Sequence, residues 1–282
     1  MILIGECGST KSEWSVINSD ESYRLTTCGI NPVLQDTEEI IDTIQVVKNF
    51  FESRKIRPNH VFFYGAGCGL KDYKAKVRFA LESELSADHI EVESDLLGAA
   101  RGLFGKEEGI ACIIGTGSNS CHFREGKIQE SIPPLGIFLG DEGSGGNLGK
   151  TVIKKYLRRQ LPEEVSNKLC KAFPEISTAE VLRKVYSEKF PNRYLASFVP
   201  FIKANIDDPL LAKIVEENFE EFFGNIIDLY SVAKGLPLRF VGSVAAEFEK
   251  ELRKVGEKKG YRIDFINRTP IKGLEEFHRS QE

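Results

Sequence analysis

Two glycine turns, each rich in hydroxyls and each set between apolar strand-like runs, stand about 110 residues apart in this sequence. In the first, Ile2-Leu3-Ile4 leads into Gly5-Glu6-Cys7-Gly8-Ser9-Thr10-Lys11, and the chain returns through Trp14-Ser15-Val16-Ile17. In the second, Ile110-Ala111-Cys112-Ile113-Ile114 enters Gly115-Thr116-Gly117-Ser118-Asn119 and leaves through Cys121-His122-Phe123. Glycine at such a turn lets backbone N–H groups approach an anion closely, because no Cβ stands in the way and a positive φ costs nothing. Ser9, Thr10, Thr116 and Ser118 add hydroxyl donors. A turn of this kind on its own also simply closes a hairpin; two in matching context point to a duplicated clamp for a polyphosphate.

A carboxylate lies between the two turns. His89-Ile90-Glu91-Val92-Glu93-Ser94 alternates as a strand does, and Asp95 then precedes Leu96-Leu97-Gly98-Ala99-Ala100-Arg101, which reads as a helix start. An aspartate there is expected to cap the helix. At the carboxyl end of a strand it also stands where open α/β sheets bind ligands, with the chemistry of a general base. The two roles are compatible.

The elements that must position these groups repeat as the turns do. Each hairpin is followed by a further strand-like piece, Tyr23–Thr27 in one half and Lys127–Glu130 in the other, and then by an amphipathic helix. The first helix opens at Asp36 with Glu39 three positions on, a capping box, and carries Ile40, Ile44, Val47 and Phe51 on one face. In the second half Leu148, Val152, Tyr156 and Leu157 have the same spacing. Each half supplies another strand, His60–Tyr64 and Leu238–Val241, so the sequence reads as two related α/β lobes with a ligand between them.

At 282 residues, 41% of them hydrophobic, the chain has material for two cores. A net charge of −4 offers no basic footprint for nucleic acid, and the densest charged stretch, Lys250 to Arg262, reads as a solvated helix face over Phe248, Leu252 and Val255. Six cysteines at 7, 28, 68, 112, 121 and 170 include no Cys-x-x-Cys pair, and histidines 60, 89, 122 and 278 have no zinc spacing. With no leader and no apolar run of the ~20 residues needed to span a bilayer, a cytoplasmic protein with free thiols is expected.

Gly5-Glu6-Cys7-Gly8-Ser9-Thr10-Lys11, Ser94-Asp95, Gly115-Thr116-Gly117-Ser118-Asn119, Gly140-Asp141-Glu142-Gly143-Ser144 and Gly242-Ser243-Val244 together, in this order and spacing, resemble the BadF/BadG/BcrA/BcrD ATPase family and, within it, the N-acetylglucosamine kinases. The resemblance covers nearly the whole chain. It implies the fold of the sugar kinase, actin and heat-shock ATPase superfamily: two ribonuclease-H-like lobes, duplicated βββαβαβα units, with a nucleotide cleft between them. The lobes would be 1–105, joined by a C-terminal helix at 270–282, and 106–269, with a helical insertion around 160–210.

The resemblance also implies roles. Gly8, Ser9, Thr10 and Lys11 match the first phosphate loop, Gly115, Thr116, Gly117 and Ser118 the second, and Gly242, Ser243 and Val244 the adenosine segment. Glu6 stands where most of the superfamily has aspartate and the amino-sugar kinases have glutamate; there it would hold Mg²⁺ through water. Asp95 matches the catalytic base, and Asn31, Thr116, Asn119 and Asp141 match sugar contacts. ATP and Mg²⁺ are then the expected cofactors, a small sugar the expected substrate, and a homodimer is compatible with the family; no nucleic acid or membrane partner is expected. One departure bears on specificity: Pro133-Pro134 replaces a glycine pair of those kinases and removes its backbone donors.

The implied reaction is transfer of phosphate from ATP to an amino sugar, N-acetylglucosamine giving its 6-phosphate. Two alternatives remain open at this point, an activator ATPase of radical dehydratases and a sugar-sensing or binding protein with little catalysis. The first requires a cluster-ligating cysteine pair, yet Cys121 falls in an expected strand and Cys170 in an expected helix. The second lacks an appended DNA-binding domain.

Overall fold

The computed structural model describes residues 1–8, 10–18 and 22–281, so Ser9 of the first glycine turn lies outside the described residues. The chain divides into two compact units, Met1–Glu107 with Arg124–Ile128 and Thr269–Glu282 forming one, and Glu108–Phe123 with Gln129–Arg268 the other.

The first unit is built on β1 (Ile2–Cys7), β2 (Lys11–Ile17), β3 (Ser22–Cys28), α1 (Thr37–Glu52), β4 (His60–Gly65), α2 (Lys71–Glu84), β5 (His89–Ser94) and α3 (Asp95–Phe104). Its sheet has the order β3-β2-β1-β4-β5. β1, β2 and β3 form an antiparallel meander, while β4 and β5 join β1 in parallel. β1 is buried along nearly its whole length, as expected of a central strand with both faces covered, whereas the edge strand β3 alternates between exposed and half-buried residues. The capping box forms: the Asp36 carboxylate accepts from the Glu39 N–H, and the Glu39 carboxylate accepts from the Asp36 N–H, both at 2.9 Å. Ile40, Ile44, Val47 and Phe51 are buried against Trp14, Phe63 and Val77.

The second unit is built on β6 (Gly109–Ile114), β7 (Ser118–Arg124), β8 (Lys127–Glu130), α4 (Gly136–Leu139), α5 (Gly145–Leu157), α6 (Glu163–Ala172), α7 (Thr178–Tyr186), α8 (Pro191–Ala196), α9 (Val199–Ala204), α10 (Pro209–Asn225), β9 (Leu238–Val241), α11 (Ser243–Glu247), α12 (Glu249–Lys258) and β10 (Ile263–Asn267), with the end of β7 and the start of β8, Arg124–Ile128, grouped with the first unit. Its sheet order, β10-β9-β6-β7-β8, is that of the first sheet with each strand replaced by its counterpart. β6 again pairs antiparallel with the strand after the turn and parallel with the strand after the helices. An aromatic core of Phe198, Phe219, Phe222, Phe223, Phe240 and Phe248 joins α9, α10 and α12 to the sheet.

The last helix, α13 (Ile271–Arg279), belongs to the first unit. It packs on α3 and along β1 and β2, burying Ile271 and Leu274 with Ile2, Ile4, Ile17 and Tyr64. Glycine permits this approach: a Cβ on Gly273 would overlap the Gly102 carbonyl oxygen, and one on Gly102 would fall 2.7 Å from the Pro270 carbonyl oxygen. His278 is buried beside them, stacked on Phe62, with its Nε2 2.9 Å from the Tyr64 hydroxyl. All six cysteines are free, and among the described residues no helix is long and apolar enough to cross a membrane.

Candidate active site

In the first unit β1, β4 and β5 run parallel, so their carboxyl ends share one edge of the sheet. Glu6, near the end of β1, lies opposite Glu13 on β2. Burial pushes the Glu6 carboxyl up to about 8, and the nearby charges of Glu13 and Asp95 add to the effect while Lys11 opposes it. The turn between β1 and β2 is closed by the Gly8 N–H donating to the Lys11 carbonyl at 3.0 Å, and the Thr10 carbonyl accepts from the Gly29 N–H at 3.1 Å. The Lys11 ammonium pairs with Glu13. Asn31 sits in the loop after β3; its Oδ1 accepts from the Val33 N–H and lies where a Cβ on Gly67, just past β4, would meet it.

Asp95 follows β5, but it is the first residue of α3 rather than its cap. Ser94 is the cap, its hydroxyl accepting from the Leu97 N–H at 3.3 Å. Either residue could cap by type; Ser94 takes the position because its backbone stays extended while Asp95 is already helical. The Asp95 carboxylate accepts from the Leu96 N–H at 2.8 Å, and burial holds its pKa up at about 6. Among the described residues the carboxylate makes no ion pair, and burial is the largest cause of its raised value.

In the second unit the glycine turn between β6 and β7 is held from three sides. The N–H groups of Gly145 and Gly146, at the start of α5, donate to the Gly115 and Thr116 carbonyls at 2.8 and 3.0 Å. Asp141 reaches the same turn, its carboxylate accepting from the Ser118 N–H at 3.3 Å. Gly242, at φ 126°, passes so close to the Ile114 carbonyl that a Cβ there would overlap it, which brings Ser243 and Val244 at the start of α11 against the turn. A Cβ on Gly115 would meet nothing within 4 Å, so this backbone faces open space. Asn119 follows on β7, its Oδ1 accepting from the Ser120 N–H. Burial raises the Asp141 carboxyl to about 6, against the opposing effects of the Ser118 N–H and of Lys150.

The structure thus collects Glu6, Gly8, Thr10, Lys11, Asn31 and Asp95 at one strand edge of the first unit, and Gly115, Thr116, Gly117, Ser118, Asn119, Asp141, Gly242, Ser243 and Val244 around one turn of the second. It adds residues that the sequence reading missed. Glu13 faces Glu6, a pairing set by the hairpin register and visible only once the turn length is known. Behind Ser144, which caps α5, Asn147 donates through Nδ2 to Asn218 and Glu221 at 2.9 and 3.1 Å, and Asn218 Nδ2 reaches the Ser144 carbonyl. This network, buried except at Glu221, braces the segment that presents Asp141.

The duplicated sheet order, with a glycine turn after the first strand of each sheet and a carboxylate after β5, defines a member of the actin-like ATPase superfamily. The chain resembles a candidate N-acetylglucosamine kinase from Porphyromonas gingivalis at 40% identity and a TM-score of 0.92, covering 99% of both chains. A candidate N-acetylglucosamine kinase from Chromobacterium violaceum shares the fold at 15% identity and a TM-score of 0.76 over 98% of both chains. A ROK hexokinase from Thermus thermophilus does so at 12% identity and a TM-score of 0.54, over 99% of this chain and 98% of its own. No protein-family model and no curated protein sequence matches the chain. By its likeness to the P. gingivalis protein, the chain belongs to the N-acetylglucosamine kinase-like sugar kinases.

Proposed function

We propose that the protein transfers the γ-phosphoryl group of ATP to an amino sugar, with N-acetylglucosamine converted to its 6-phosphate. The observation that carries this reading is the Asp95 carboxyl: it stands at the end of a parallel strand, free of any ion pair among the described residues and held by burial near pH 6, where a base works close to neutral pH. In this reading Asp95 orients the primary hydroxyl of the sugar and accepts its proton as the bond to phosphorus forms. The glycine-turn backbones at Gly8 and Thr10, and those from Gly115 to Ser118, bind phosphate, with Lys11 supplying a point charge. Gly242, Ser243 and Val244 take the adenosine. Asn31, Thr116, Asn119 and Asp141 hold sugar hydroxyls.

Glu6 is the carboxylate that would meet a magnesium ion. Burial first, and then repulsion from Glu13 and Asp95, drives the Glu6 carboxyl upward against the opposing charge of Lys11, and a cation beside it would relieve both. Among the described residues no group of three or more His, Cys, Asp or Glu could hold a metal ion, so this reading has one carboxylate hold the cation through its own waters. When bound, magnesium would neutralise charge on the transferred phosphoryl group. Glu6 would accept hydrogen bonds from its waters, and Glu13, engaged by Lys11 and by the Thr269 hydroxyl, would keep Glu6 turned toward them.

The test is kcat/KM, read by ADP release, for N-acetylglucosamine, glucosamine, N-acetylmuramic acid, N-acetylmannosamine and glucose, in wild type and in Asn119→Ala. A site built to hydrogen-bond one group leaves buried polar atoms unpaired when that group is missing, so the preferred amino sugar should exceed glucose by about 10²-fold or more. Glucose as the best substrate, or an unchanged ranking in Asn119→Ala, refutes the amino-sugar assignment. An absence of ADP release with every sugar refutes the kinase.

A further inference from the structure

The backbone from 133 to 143 turns into the left-handed region four times, at Leu135 (φ 59°), Gly136 (φ 71°), Asp141 (φ 56°) and Gly143 (φ 80°). For Asp141 that conformation is uncommon and needs outside support. Its N–H donates to the Pro134 carbonyl at 2.9 Å, and its own carbonyl accepts from the Ser144 N–H at 3.1 Å. Gly140, buried just before it, lies so close to the Pro134 carbonyl that a Cβ would overlap the oxygen and come within 3.0 Å of the Leu135 Cβ. The loop between is pinned as well: the Gly140 N–H donates to the Gly136 carbonyl at 2.8 Å, and Lys150 Nζ donates to the Ile137 carbonyl at 2.9 Å. The outcome is an Asp141 carboxylate aimed at the glycine turn, on the Ser118 N–H and against Gly117.

The proline ring fixes φ at Pro134 and biases Pro133 toward an extended conformation. The pair can donate no hydrogen bond, so what it offers the site is a carbonyl whose direction is restricted before Asp141 engages it. We propose that Pro134 is a positioning residue for Asp141, its carbonyl and the missing side chain of Gly140 together setting the pose of the carboxylate that meets the sugar. The inference rests on the reading that Asp141 is a sugar contact. It gives the proline pair a role in preorganising the sugar subsite.

The experiment compares Asp141→Asn, Pro134→Ala and Pro134→Gly with the wild type, using N-acetylglucosamine and ATP as varied substrates. Alanine keeps the carbonyl and frees φ; glycine frees it further. KM for N-acetylglucosamine should rise about 3–10-fold in Pro134→Ala and further in Pro134→Gly, because the cost of ordering Asp141 moves to the binding step. KM for ATP and kcat should stay within about twofold in Pro134→Ala. A second readout is the Asp141 carboxyl titration followed by NMR, which should fall from about 6 toward the ordinary carboxylate range as the side chain is released to water. An unchanged sugar KM in both proline variants, with Asp141→Asn impaired, overturns the inference alone. Equal losses of sugar and ATP affinity also overturn it, since they mean a general structural role. An unchanged sugar KM in Asp141→Asn overturns the sugar-contact reading and the inference together.

Discussion

Replacing Asp95 with asparagine should stop phosphoryl transfer while leaving the fold at least as stable as before. The cap of α3 is the Ser94 hydroxyl, which the substitution leaves alone, and the amide oxygen of asparagine can accept the Leu96 N–H that Asp95 accepts at 2.8 Å. What changes is charge. The carboxyl titrates at about 6 in the folded chain against an ordinary 3.8, so folding disfavours the ionised form. At 1.36 kcal/mol per unit, about two units set an upper bound near 3 kcal/mol, reduced to about 1–2 kcal/mol for a side chain that keeps some contact with water. The sign follows from the raised value: the acid's contribution to stability is intact below about pH 4 and lost as pH rises through 6. The neutral amide avoids that loss, so Asp95→Asn should melt with the wild type at pH 4 and roughly 2–6 °C above it at pH 8. Turnover in the ADP-release assay should fall by ~10²–10⁴-fold, and wild-type kcat/KM should climb with pH to about 6 before levelling. Turnover within about threefold of wild type would remove Asp95 from the base role, and a variant less stable at pH 8 than at pH 4, relative to wild type, would refute the electrostatic argument.

Two further outcomes follow from glycines whose surroundings differ. Gly115→Val places a side chain where nothing lies within 4 Å, so the protein should fold normally yet bind a non-hydrolysable ATP analogue at least about 10-fold more weakly by calorimetry; unchanged affinity would mean the turn is only a hairpin. Gly117→Val is the poorer probe, because its Cβ would come 3.2 Å from the Asp141 carboxylate and disturb both subsites. Gly273→Ala forces a methyl into the Gly102 carbonyl and should lower stability in urea by about 2–4 kcal/mol, whereas Gly69→Ala, with open space around it, should change little; equal midpoints for the two would contradict the close packing of α3 on α13.

What could be read from the sequence was local or repeated. The two glycine turns, the capping box at Asp36 and Glu39, and the apolar face Ile40–Ile44–Val47–Phe51 each lie within a few residues, where the spacing of residue types decides the conformation. The repetition of elements in two lobes was legible because both halves carry the same grammar, while the order of strands within each sheet came from the structure. Where two neighbours could do the same job the reading went astray, as with Ser94 and Asp95 at one helix start. The contacts that shape the site were hidden for a different reason. Asn147 meets Asn218 across 71 residues, and the Pro134 carbonyl reaches the Asp141 N–H only because the intervening loop turns left-handed. Neither pairing leaves a periodic trace along the chain.

The position of α13 has a consequence for biosynthesis. Its Ile271 and Leu274 close over Ile2, Ile4, Ile17 and Tyr64, strands that leave the ribosome well over a hundred residues earlier. At translation rates of ~5–20 residues per second, that apolar face waits on the order of 10–50 seconds for its cover. The later-made unit holds no part of α13 and is free to mature ahead of the earlier one. The nascent chain is therefore most exposed to aggregation and to chaperone capture along β1 and β2, and the last steps of its folding run from the carboxyl end back to the amino end.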